Sequence, residues 1–159
     1  MKPLVVRIVS GGQTGADRGG LDAAVALGIE QGGWCPAGRR AEDGTIPGMY
    51  RLAETLSPAY GDRTRANVRD SDGTIVFTRG AATGGSALTL TAARKIRKPV
   101  LHVDLATLGV EAAADRVRGW CVERSIAILN VAGSRESKAP GIGDEVRRLL
   151  VRALEGSPK

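Results

Sequence analysis

The sequence predicts a three-layer, Rossmann-like α/β fold: a mainly parallel sheet of five or more strands with helices on both faces, in one domain spanning 1–159. Three observations carry this. Short, mostly apolar runs such as Leu4–Ser10 and Thr74–Thr78 alternate with longer segments of helical spacing. Runs without a polar face read as strands covered on both sides, which is the habit of parallel sheets. A length of 159 residues, with 42% hydrophobic and 25% charged side chains, is ordinary for one globular domain. Glycine, at 22 residues, is well above the usual share, roughly 7%, and clusters directly after apolar runs, where strands turn into helices.

Taken in order, Leu4–Ser10 (Leu-Val-Val-Arg-Ile-Val-Ser) reads as the first strand, and Gly11–Ala16 as a Gly-rich turn. Asp17–Leu27 follows as a helix, with Leu21, Ala24 and Val25 on one face. Ile29–Trp34 is a second strand weakened by Gly32 and Gly33, and Cys35–Gly48 a long polar loop. Met49–Tyr60 is ambiguous, and Gly61–Ser71 a charged helix. Thr74–Thr78 is the third strand, Arg79–Gly85 a second Gly-rich turn, and Ser86–Ile96 a helix. Val100–Asp104 is the fourth strand. Val110, Ala113, Ala114, Val117 and Cys121 give an amphipathic helix over Gly109–Arg124. Ile126–Val131 is the fifth strand, Ala132–Gly143 a polar loop, and Asp144–Leu154 the last helix, with Asp144 as its N-cap.

Composition excludes several functions. His102 is the sole histidine and sits inside a strand, which rules out a multi-histidine zinc site. Cys35 and Cys121 are far apart and form no CxxC pair or disulfide framework, which fits a reducing cytoplasm. Arg7 interrupts the opening apolar run, so no secretory leader is expected, and no stretch approaches the roughly 18–20 apolar residues of a membrane span. The net charge of +6 asks for an anionic partner, but aromatics at 3% disfavour nucleic acid bound by base stacking.

The Gly-rich segments give that anion a place. Gly11, Gly12, Gln13, Thr14 and Gly15 follow the first strand; Gly84, Gly85 and Ser86 follow the third; Asn130, Ser134 and Arg135 lie at or beyond the fifth. In a parallel α/β sheet ligands sit beyond the carboxyl ends of the strands, where glycines let backbone N–H groups approach an anion and helix N-termini face it. Thr14 and Ser86 add hydroxyls, and Arg135 is placed to clamp phosphate. These loops match neither GxGxxG nor GxxxxGK[ST].

The wording Ser10-Gly11-Gly12-Gln13-Thr14-Gly15-Ala16-Asp17-Arg18-Gly19 resembles the opening of the molybdenum cofactor carrier family, a circularly permuted YpsA-related SLOG group akin to lysine-decarboxylase-like proteins. Further matches are Gly33-Trp34-Cys35-Pro36, Gly38 to Gly44, Arg63-Thr64 with Asn67, Asp70 to Thr74, Thr83 to Ser86, Asn130 to Arg135, and Pro140-Gly141-Ile142. The resemblance implies a Rossmann-like fold and a small phosphorylated ligand, either a nucleotide or molybdopterin, with homo-oligomers (dimer or tetramer) common among such proteins. Relatives that cleave nucleoside monophosphates carry PGGxGTxxE, and here Thr91 stands where the Glu would be. That departure favours a binding or carrier protein. The alternatives are a nucleotide N-glycosidase or phosphoribohydrolase and, last, a DNA-binding protein.

Secondary candidates are Arg39, Asp43, Arg63 and Asn67: Arg39 and Asp43 lie after the second strand, and Arg63 and Asn67 are one helical turn apart. Asp17 reads first as a cap of its helix, or as the residue that orients Gln13 and Thr14. Lys138 reads as solvated, Asp72 and His102 as structural, and Cys35 as a packed residue at the ligand edge with a thiolate suited to a soft metal. No metal site is assigned.

Overall fold

The computed structural model describes residues 5–155. Its main sheet has five strands, all parallel, in the order β2-β1-β9-β7-β8. They are β1 (Arg7–Val9), β2 (Glu30–Gly32), β7 (Gly73–Thr78), β8 (Val100–Asp104) and β9 (Ile128–Gly133). The chain builds β1 and β2, crosses to β7 and β8, then returns to insert β9 between β1 and β7. The carboxyl ends of β1, β9 and β7 are therefore neighbours.

Among the described residues five helices cover this sheet: α1 (Ala16–Leu27), α2 (Tyr60–Arg69), α3 (Gly84–Lys95), α4 (Val110–Arg124) and α5 (Ile142–Leu154). Strand alternation sorts the two layers. Ile75, Phe77, Leu129 and Val131 join Ala23 and Ala24 of α1, Val117 and Cys121 of α4, and Leu149 and Leu150 of α5 in the main core. The alternate positions Thr74, Thr78 and Asn130 are buried on the opposite face, where α2 packs against α3. One face of the sheet is thus oily and the other carries hydroxyls and an amide.

Several boundaries differ from the sequence reading. The first strand is shorter, and Leu4 lies outside the described residues. The run Ile29–Trp34 splits at Gly33, whose φ is 120°. Before it, Glu30–Gly32 pairs with β1; after it, β3 (Trp34–Cys35) pairs in parallel with β6 (Ala53–Glu54) in a separate two-stranded sheet. The loop from Cys35 holds a small antiparallel hairpin, β4 (Arg40–Ala41) and β5 (Gly44–Thr45).

The fifth strand begins two residues late because Ser125 ends α4 in a left-handed turn. The carboxylate of Asp72 accepts from the N–H groups of Ala127 and Ile128, fastening that strand to the start of β7. Asp144 does not cap α5. Gly141 holds the cap position, the Glu136 carboxylate accepts from Gly141 N and Gly143 N, and Asp144 pairs with Arg147 and Arg148 within the helix. Among the described residues no helix is long and apolar enough to cross a membrane.

Candidate functional site

At the carboxyl end of β1 the chain turns sharply, with Gly12 at φ 78° and Gly15 at φ 81°. Ala16 N donates to Ser134 O (3.0 Å), locking the start of α1 to the loop after β9. Asp17 lies in the first turn of α1, beyond the cap position, which Gly15 occupies. Its carboxylate reaches back to accept from Gln13 N (3.1 Å) and stands 3.5 Å from Arg63 Nη1. Burial pushes this carboxyl above its ordinary range, opposed chiefly by the Arg63 guanidinium. Arg63, from α2, also donates to Gly11 O (2.7 Å) and lies over the Tyr60 ring at 5.3 Å.

At the end of β7, α3 begins at Gly84 after Thr83. No side chain caps it, and its first turn holds no acidic residue. This differs from α5, whose first N–H groups Glu136 occupies. An uncapped helix start leaves N–H groups and the positive end of the dipole facing outward. At the end of β9, Ser134 N donates to Phe77 O (2.9 Å), and Arg135 and Lys138 follow. Among the described residues neither cation enters an ion pair.

The three strand ends enclose a cavity of about 90 Å³, the scale of several waters or one small anion. Of the residues singled out in the sequence, Gly11, Gln13, Gly85, Ser86, Asn130, Ser134, Arg135, Arg63 and Asn67 line it. So do Asp17, Tyr60, Leu88, Thr89 and Lys138, which the sequence reading placed elsewhere or passed over. The spacing of Ser86 and Thr89, three apart on one helix, was the available signal for Thr89.

Other candidates have different partners. Gly12, Gly15 and Gly84 shape the loops without lining the cavity. The Thr14 hydroxyl donates to Glu42 and accepts from Glu136 N, so it faces away from the cavity. Arg39 gives its guanidinium to the carbonyls of Ile46, Pro47, Leu52 and Tyr50, which makes it the strut of the 36–52 segment. Asp43 pairs with Arg18 through both oxygens, at 2.6 and 2.8 Å.

Cys35 leaves the ligand edge. It is wholly buried in a small cluster with Leu21, Ala41, Ile46 and Tyr50, and that burial pushes its thiol up. His102 meets Thr78 Oγ1 at 2.7 Å inside the layer. Thr91 is exposed on α3 and does not line the cavity.

Asn67 lines the cavity but spends both ends of its amide on Trp34: Oδ1 accepts from Trp34 N (2.8 Å) and Nδ2 donates to Trp34 O (2.9 Å). It is 3% exposed. Asn67→Ala is expected to cost about 1–3 kcal/mol, because it leaves two backbone groups without partners. Urea unfolding checks this, and a loss below a few tenths of a kcal/mol would contradict it.

A second, open groove of about 700 Å³ lies on the other side of the first loop. Its polar groups satisfy one another: Arg18 with Asp43, Tyr50 with Asp22 (2.8 Å), and Thr14 and Ser137 with Glu42. The first cavity differs in holding Arg135 and Lys138, which enter no ion pair among the described residues.

The model of the circularly permutated YpsA SLOG family matches residues 8–154. A crystal structure from Syntrophus aciditrophicus SB, named "Putative molybdenum carrier protein", is 45% identical, with a TM-score of 0.93. The match covers 97% of this chain and 98% of that one. Among curated proteins none matches.

Proposed function

The chain belongs to the circularly permuted YpsA SLOG family, and from that premise we propose that it binds a small phosphorylated ligand, nucleotide-like or pterin-type, at the cavity beyond β1, β7 and β9. Family membership and the solved relative support a ligand-binding role in general. The observation that carries the finer reading is the charge of the lining. Arg63, Arg135 and Lys138 line the cavity with the uncapped start of α3, and among the described residues Asp17 is the sole carboxylate in the lining. Oriented N–H groups and guanidinium together are the chemistry of a phosphate site.

A cavity of about 90 Å³ takes the phosphate and leaves the remainder of the ligand at the mouth, beside Tyr60 and Leu88. If the cargo is the molybdenum cofactor, it is held by its phosphate and ring, since no cysteine lines the cavity to bond the metal. The role is carrying or sensing rather than chemistry. A reducing, cytoplasmic setting is part of this reading, supported by two buried free thiols, as is a dimer or tetramer, which sedimentation would reveal.

Thermal melting with nucleoside monophosphates and phosphorylated pterins tests the proposal. A probe at one hundred times its Kd is expected to add about 2.7 kcal/mol of apparent stability. No shift with any of these probes would contradict it.

A further inference from the structure

Asp17 is out of place in an anion site. It is 6% exposed and lines the cavity, and its carboxylate meets Gln13 N and Arg63 Nη1 through Oδ2. A buried carboxylate facing a fully ionised oxyanion is repelled strongly, because the interior screens charge poorly. The repulsion turns into attraction when one proton lies between the two, since an O–H···O⁻ bond is among the shorter and stronger hydrogen bonds.

Building on the phosphate reading above, we propose that Asp17 is the specificity residue of the cavity: it accepts a hydrogen bond through Oδ1 from an oxyanion that carries an O–H. The class selected is the protonated oxyanion, such as hydrogen phosphate or the monoanion of a phosphomonoester. Sulfate and molybdate have no O–H at neutral pH and are rejected.

The groups facing Asp17 are Arg63 from α2, Arg18 from α1 and Arg135 from the loop after β9, with Lys138 in the same lining. All are cations, so they attract either anion and do not by themselves tell phosphate from sulfate. The discrimination therefore rests on the proton. Burial already favours the protonated form of Asp17. As pH falls, Asp17 takes up its own proton, becomes a donor, and admits sulfate. Sulfate affinity thus rises toward acid, whereas hydrogen phosphate is accepted throughout.

Calorimetric titration of inorganic phosphate and sodium sulfate at about pH 7.5 and constant ionic strength tests this. In the wild-type protein phosphate is expected to bind about tenfold or more tighter, the size of one charged hydrogen bond. In Asp17→Asn, whose amide can donate to either anion, the gap closes to within about threefold, a difference under 1 kcal/mol. Equal binding of the two anions by the wild type, or an unchanged gap in the variant, would overturn the assignment.

Sulfate binding by the wild type between about pH 8 and 5.5 reads the same proton without a substitution. It is expected to strengthen toward acid, and a profile that is flat or falls toward acid would overturn the proposal. If neither anion binds at any pH, the phosphate reading of the cavity fails and the assignment falls with it. A phosphate preference that survives in Asp17→Asn removes only the role of Asp17.

Discussion

Gly133→Ala is expected to destabilise the protein by about 3 kcal/mol or more, the sum of backbone strain and overpacking. Gly133 closes β9 with φ at 149°, a conformation L side chains rarely adopt. A Cβ there would lie 2.0 Å from Phe77 O and 2.8 Å from Phe77 C and N. Phe77 cannot give way: it is wholly buried in an interior strand, and the same carbonyl accepts Ser134 N at 2.9 Å. Shifting it would disturb the pairing of β7 with β9 on one side and β8 on the other. The position also lies beside Arg135, so any relaxation that rescues the fold should spread the cavity. Denaturant unfolding measures the loss, and a cost below about 1 kcal/mol would show that the strand ends are far more compliant than this packing allows.

Arg135→Ala is expected to weaken phosphate binding by roughly ten- to a hundredfold, as removal of a charged hydrogen-bond donor usually costs about 1.5–3 kcal/mol. Stability should hardly change, because Arg135 enters no ion pair among the described residues and only its backbone supports the turn, through Lys138 N and Ala139 N. Arg135→Lys keeps the charge but not the planar fork, so partial recovery is expected. Lys138→Ala should cost only a few-fold, since Lys138 is exposed and its charge is screened. Calorimetry with inorganic phosphate separates these outcomes. An Arg135→Ala protein that binds phosphate like the wild type would remove Arg135 from the site.

Much of this architecture was legible in the sequence, for local reasons. Thr74–Thr78 sets a β-branched and aromatic Ile-Val-Phe centre between two threonines, which reads as a covered strand; it is interior to the sheet and buried along its length. The glycines after β1 and β7 announced strand-to-helix turns, and parallel topology sent both to one edge. What stayed hidden depends on contacts between distant residues. The insertion of β9 between β1 and β7 is a pairing choice that no single strand encodes. The break at Gly33 depends on capture of Trp34 by Asn67, thirty-three residues away.

Local spacing also misled where a side chain had two plausible partners. Asp17 reads first as a helix cap and second as the residue that orients Gln13; in the fold its carboxylate accepts from Gln13 N and stands near Arg63 on another helix. Arg39 has the position of a ligand contact, but four carbonyls of its own segment take its guanidinium. Thr14 looked like a donor to phosphate until the hairpin brought Glu42 within reach.

The central claim is that a phosphate group sits where β1, β7 and β9 end. A crystal structure of the protein grown with a nucleoside monophosphate tests it most directly. The phosphate is expected between Arg135, Lys138 and the first N–H groups of α3, within hydrogen-bond distance of Ser134 or Ser86. A phosphate found instead in the groove of Arg18 and Asp43, with this cavity holding only water, would contradict the account.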